Sequence, residues 1–353
     1  MIKKWLNRVF IDGLSGMAMG LFATLIIGTI IAQIGSFVGG TAGMYLTMMA
    51  SVAKVLTGAG IGVGVAHKYG ESPLVTVSAA SAGMVGAFAS KLLAGEVIVD
   101  GAIHLAGAGE PLGAFIAAYV GIELGHLVSG RTKLDILVTP LISILAGGFV
   151  GLVVGPPISQ FMAKLGAMIQ WGTEQQPFLM GIVVSVLMGM ILTLPISSAA
   201  LGVVLNLSGL SAGAAAIGCS AQMVGFAVAS FRENGFGGLL AQGIGTSMLQ
   251  VPNIVRKPLI WLPPILTSAI LGPVSTMILK MTNNAIGSGM GTAGLVGQIM
   301  GYQTMVAGGA ESKIVLIEII IMHVVAPAIL TFIIAEWMRK NEWIKEGDMK
   351  LDL

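Results

Sequence analysis

Apolar residues fill this chain in long blocks that contain no charged side chain: residues 13–53, 136–163, 175–231, 258–279 and 281–310. Each block is long enough to hold at least one membrane-spanning helix of about 20 residues. The blocks predict spans over 12–36, 43–65, 73–93, 112–128, 134–154, 178–194, 197–230 in pieces, 237–249, 259–279 and 314–337, with a further broken segment over 285–302. The fold class expected is an all-α polytopic membrane protein of about ten transmembrane helices with broken or re-entrant segments.

The block 175–231 carries the most information, because helix-stopping chemistry interrupts it: LTLPISSAALGVVLNLSG. Pro195, Ser197, Ser198, Asn206, Ser208 and Gly209 predict a helix that breaks at membrane depth. Unpaired backbone groups cost several kcal/mol each in hydrocarbon, so such a break survives only inside protein or beside a water-filled cavity. Broken helices at membrane depth are how many transporters build a solute site. The pattern points to a carrier or channel.

Composition agrees. Of 353 residues, 55% are hydrophobic and 10% charged, and the mean hydropathy is +0.93. A soluble domain carries about 25% charged residues. The net charge of +2 comes without a basic patch, so nucleic acid is not an expected partner. The single cysteine, Cys219, lies in an apolar stretch and reads as a small buried hydrophobe, excluding an intramolecular disulfide. The Gly-rich run from Gly287 follows no soluble strand and is not a dinucleotide loop. No nucleophile–base pair, phosphate loop or metal cluster is apparent, so neither enzyme chemistry, cofactor nor metal is expected of the chain.

The basic, amphipathic residues 1–13 predict an interfacial helix leading into the first span. Lys3, Lys4, Arg8, Lys68, Arg131, Lys133, Arg256, Lys257, Arg339 and Lys340 fall in short loops and ends of one side, placing both termini in the cytoplasm. Residues 1–340 read as one transmembrane domain and 341–353 as a cytoplasmic tail. A faint internal repeat relates halves of about 60–165 and 195–285. SAASAGMVGAFAS at Ser78 echoes GCSAQMVGFAVAS at Gly218, and GPPIS at Gly155 echoes GPVS at Gly272.

Candidate solute contacts follow from hydroxyls and amides at the interruptions. In YGESP, Ser72 suits an N-cap and Pro73 the first helical position, with Glu71 beside the positive helix end. Thr76 adds an inward hydroxyl. In the second half Ser197 and Ser198 follow Pro195, and Asn206 and Gln222 offer amides that both donate and accept, as sugar hydroxyls do. Capping and helix–helix hydrogen bonding are the plainer readings of the same residues. Tyr119, Glu123 and His126 share one helix face at i, i+4 and i+7. Lys54 and His323 are the other ionisable groups within spans, His323 reading as a packed histidine.

YGESPLVTVSAASAGMVG, VTPLISILAGGFVGLVVGPPIS and LPISSAALGVVLNLSGLSAGAAAIGCSAQMVG resemble the membrane-embedded IIC components of the sugar phosphotransferase system. The likeness is greatest to the stand-alone branch that includes the perfringolysin O regulator-like proteins, and it covers residues 12–337. It implies a homodimeric sugar permease of the cytoplasmic membrane that presents its sugar to separate IIB and IIA proteins. Glucose-type members place a Glu of a Gly-Ile-Thr-Glu-Pro motif near the sugar; here Gly109-Glu110-Pro111 is the nearest match, so Glu110 joins the candidates. Two other readings stand beside the permease: a membrane sensor or regulator that binds a solute or lipid, and an ion- or proton-coupled carrier using Glu123, Lys54 or His323.

Overall fold

The computed structural model describes residues 7–99 and 101–351. Residues 1–6 of the expected interfacial helix, with Lys3 and Lys4, lie outside them. The described residues are mostly helical and fall into two compact units, residues 1–163 and 164–353.

The first unit contains α1 (Arg8–Val38), α2 (Gly40–Val55), α3 (Thr57–Lys68), α4 (Pro73–Ala87), α5 (Pro111–Val128) and most of α6 (Asp135–Thr173). Gly39 and Gly40 turn the chain between α1 and α2 with φ of +63° and +57°, a conformation open to glycine. The helices α2 and α3 bend by 54° at Leu56. Small residues bring backbones together: Gly16 packs on Gly64, Gly20 on Gly60 and Gly58 on Gly83. Lipid offers no hydrophobic force between helices, so association relies on such close approach. A short antiparallel hairpin, β1 (Ile98–Val99) with β2 (Ala102–Ile103), lies between α4 and α5.

The second unit contains the end of α6, then α7 (Pro177–Thr193), α8 (Ser198–Val204), α9 (Gly209–Ala229), α10 (Phe231–Leu240), α11 (Pro258–Leu279), α12 (Ala285–Ser288), α13 (Val296–Ala307) and α14 (Ser312–Lys340). Its axis is α9: 94% of its most apolar window is buried, against 28–50% for the other spans. Helices α7, α11 and α14 pack around it. Gly218 permits the contact with α7, since a Cβ there would collide with the Ser185 carbonyl.

Among the described residues, six helices are long and apolar enough to cross a membrane, the α2–α3 pair makes a seventh if it is one span, and α4 and α7 are shorter apolar helices. Both expected interruptions are present. After Thr193 the chain is extended at Leu194, forms α8, and turns at Asn206 with φ +48° before α9. A second break runs from Lys280 (φ +49°) through α12 to Gly294 and Leu295, both at positive φ. The expected span 237–249 is instead broken: α10 gives way to a π turn, an extended Thr246 and a 3₁₀ turn, Ser247–Gln250.

Candidate solute-binding site

In the first unit, Ser72 caps α4 by accepting the Val75 N–H (3.4 Å), and its hydroxyl meets that of Ser129 (3.0 Å). Thr76 donates back to the Ser72 carbonyl, within its own helix. Glu71 is 4% exposed and holds two partners, the Arg8 guanidinium at 3.1 Å and His126 Nδ1 at 2.8 Å. Arg8 also binds Glu123 (2.8 Å) and lies 4.1 Å above the Tyr69 ring, whose hydroxyl donates to the Arg8 carbonyl. Burial pushes the Tyr69 phenol above its ordinary range, with the Arg8 charge opposing. The face predicted for Tyr119, Glu123 and His126 therefore meets the start of α1 and the α3–α4 turn, and Tyr119 packs edge-on against Tyr69.

Glu110 lies elsewhere in this unit. It caps the N-terminus of α5, accepting the Leu112 N–H at 3.4 Å, while its own N–H binds the Ala87 carbonyl. His126, which touches Glu71, is 16 residues further along α5, or about 24 Å at 1.5 Å per residue. The structure thus separates Glu110 from Glu71, Ser72 and Thr76. Desolvation raises the Glu110 carboxyl to about 7, only partly offset by the Leu112 N–H.

The second unit gathers polar groups around residues 219–222 of α9. Ser198, 4% exposed, donates to the Gly289 carbonyl (2.6 Å) and so ties the two broken segments together. Next to it, Cys219 Sγ faces the Ser288 and Met188 carbonyls. Ser197 starts α8 through its carbonyl, which accepts the Leu201 N–H. Asn206 is exposed and supplies the turn, so its amide is not drawn to α9. Ser220 meets His323 Nδ1 (3.2 Å), which is also 2.8 Å from Gln298 Nε2. His323 is buried, as a packed histidine should be, and sits in a π-helical turn of α14.

Gln222 is fully buried. Its Oε1 accepts from the Trp261 indole (2.9 Å) and from the Thr193 hydroxyl (3.2 Å), and Thr193 in turn meets Ser247 at 2.9 Å. An indole N–H can only donate, which fixes the amide's orientation. The Gln222 Nε2 group consequently faces away, and it has no hydrogen-bond partner among the described residues. Leaving a buried donor unpaired costs about 1–3 kcal/mol. Sequence reasoning found Gln222 but not Thr193 and Trp261, which reach it from distant segments, nor Gln298, which reaches Ser220, nor Ser247, which meets Thr193. A groove of about 530 Å³ also lies in this unit, between Ala167, Met168, Trp171 and the Ile182–Leu187 face of α7. Its lining is apolar, so it suits no polar solute, and the chemistry lies at Gln222 instead.

Residues 11–351 match the family model described as phosphotransferase system, EIIC. The chain belongs to that EIIC family. It is accordingly a multi-pass membrane protein and a permease component of the phosphotransferase system. A search of curated proteins found no match to this EIIC chain.

Proposed function

We propose that this EIIC protein binds an unphosphorylated sugar at membrane depth in its second unit and presents it to separate IIB and IIA proteins. The observation that carries the reading is the unpaired, orientation-fixed amide donor of Gln222, beside two broken helices. A sugar hydroxyl or ring oxygen accepts from that donor and removes its desolvation cost. Ser198 retains oxygen lone pairs for a solute hydroxyl after donating to Gly289. Ser220 of α9, with Gln298 of α13 and His323 of α14 gathered around it, offers further polar contacts. Glu71, Ser72, Thr76 and Glu110, expected from the sequence as solute contacts, are engaged within the first unit in an ion-pair network, helix caps and an intrahelical bond, and stay outside the proposed site. A homodimer, cytoplasmic termini and descent from a duplicated half belong to the same reading.

The test is binding of a sugar panel to purified wild-type protein and to Gln222→Met. Binding to the wild type with loss in the variant supports the assignment, and equal affinity in both sinks it. A second reading, proton-coupled carriage, rests on the Arg8–Glu71–His126 network. Transport that stops when the proton gradient is collapsed, with IIB absent, would favour it.

A further inference from the structure

Residues 344–351 are built into the second unit. Met349 is fully buried and Ile344 is 1% exposed, in a cluster with Phe226, Ile254, Ile260 and Met338. Four side chains of the segment between α9 and α11 hold four backbone groups of residues 349–351. Glu233 accepts the Met349 N–H (2.8 Å). Asn234 donates to the Met349 carbonyl (2.9 Å) and accepts the Leu351 N–H (2.8 Å). Gln250 donates to the Met349 carbonyl (3.0 Å), and Asn253 to that of Lys350 (2.9 Å). Gln250 also donates to Gln242 Oε1 and accepts from Asn253. Every amide hydrogen of Gln242, Gln250 and Asn253 has an acceptor.

That completeness contrasts with Gln222, and the two networks share one element. Gln250 and Ser247 are the two ends of a single 3₁₀ turn. Gln250 holds the Met349 carbonyl, while Ser247 meets Thr193, which donates to Gln222 Oε1. We propose that residues 344–351 form a strap that positions the Gln222 amide through this turn, with Gln250, Ser247 and Thr193 as positioning residues. Its relevance to sugar rests on the assignment of Gln222 above. With the strap docked, Ser247 holds Thr193 toward Gln222. With it released, Gln250 loses one of its two acceptors and Asn253 one of its own, the turn is held less firmly, and Thr193 is held less firmly toward the amide.

Met349→Asp places a carboxylate in the buried site of Met349, next to Glu233, and expels the strap. The first readout needs no ligand: the Trp261 indole N–H resonance of the full chain in nanodiscs, assigned by loss in Trp261→Phe. The expected result is a shifted Trp261 resonance together with lost hydrogen-exchange protection at Leu351. Ile319→Ala, destabilising in another part of the unit, leaves that resonance in place. Lost protection at Leu351 with an unmoved Trp261 resonance overturns the proposal. The second readout is affinity for D-glucose, D-mannose, D-fructose or D-mannitol, whichever binds the wild type, and it weakens about tenfold in Met349→Asp, an ordinary coupling between sites. Should none of these bind the wild type, the sugar reading fails while the indole readout still decides the strap's role. Should Met349→Asp not fold, Thr193→Val provides the reciprocal test. Protection at Met349 and Leu351 falls at least threefold if the chain of contacts couples the two ends, and unchanged protection overturns it.

Discussion

Replacing Gln222 by methionine separates stability from binding. Methionine keeps the length of the side chain and removes both polar atoms. The loss side is the Trp261 indole, left unpaired at about 1–3 kcal/mol. Thr193 loses little, because its hydroxyl also reaches the Gly189 carbonyl at 3.3 Å. The gain side is the removal of the unpaired Nε2 donor, again about 1–3 kcal/mol. The two nearly cancel, so Gln222→Met should change unfolding free energy by less than about 2 kcal/mol in either direction. Sugar binding loses a neutral hydrogen bond worth about 0.5–1.5 kcal/mol, and more if the solute's acceptor is then left buried and unpaired, so affinity falls about three- to thirtyfold. Thermal unfolding in detergent gives the first quantity and titration of the bound sugar the second. Destabilisation beyond about 4 kcal/mol would refute the reasoning, since it would mean that Nε2 already has a structural partner.

Three further outcomes follow from the geometry. Glu71→Ala should destabilise by about 2–3 kcal/mol and Glu123→Ala by under about 1, because Glu71 is enclosed and holds two charge-assisted bonds while Glu123 is 34% exposed and holds one; thermal unfolding of both variants checks the order. Glu110, raised from 4.5 to about 7, binds its proton more tightly in the folded chain, so it contributes stability that is present below pH 4.5 and lost as pH rises through 7; Glu110→Gln should flatten that part of the stability–pH profile. Gly218→Ala should cost about 1–3 kcal/mol by forcing α9 off the Ser185 carbonyl of α7, and a thermal midpoint equal to wild type would contradict the packing described.

How far the sequence revealed these features depended on whether the chemistry was local. The break before α9 was legible because Pro195 cannot continue a hydrogen-bonded helix and Asn206 tolerates left-handed backbone. The cap at Ser72–Pro73 was legible for the same reason. Segment 237–249 was not: it is apolar enough for a span, and its breaks lie in the positive φ of Gly235 and the extended Thr246, which composition does not report. Gln222 stood out as an amide in an apolar helix, but its partners did not, since Thr193 and Trp261 reach it from 29 and 39 residues away. The tail read as solvated because Trp343, Ile344 and Met349 are isolated among charges. The Asn, Gln and Glu side chains of another segment, and the apolar cluster that encloses Ile344 and Met349, make residues 344–351 part of the fold.

The central claim is that a sugar occupies the polar centre on α9. Its most direct test is ligand-dependent thermal stabilisation of the purified wild-type protein across unphosphorylated sugars, sugar phosphates, lipids and ions. The account predicts that an unphosphorylated sugar at about 100 times its dissociation constant adds about 2.7 kcal/mol, and that Gln222→Met, binding about three- to thirtyfold more weakly, keeps about 2.1 to 0.9 kcal/mol of this at the same concentration. Stabilisation by a lipid or an ion, with silence for every sugar, would contradict it.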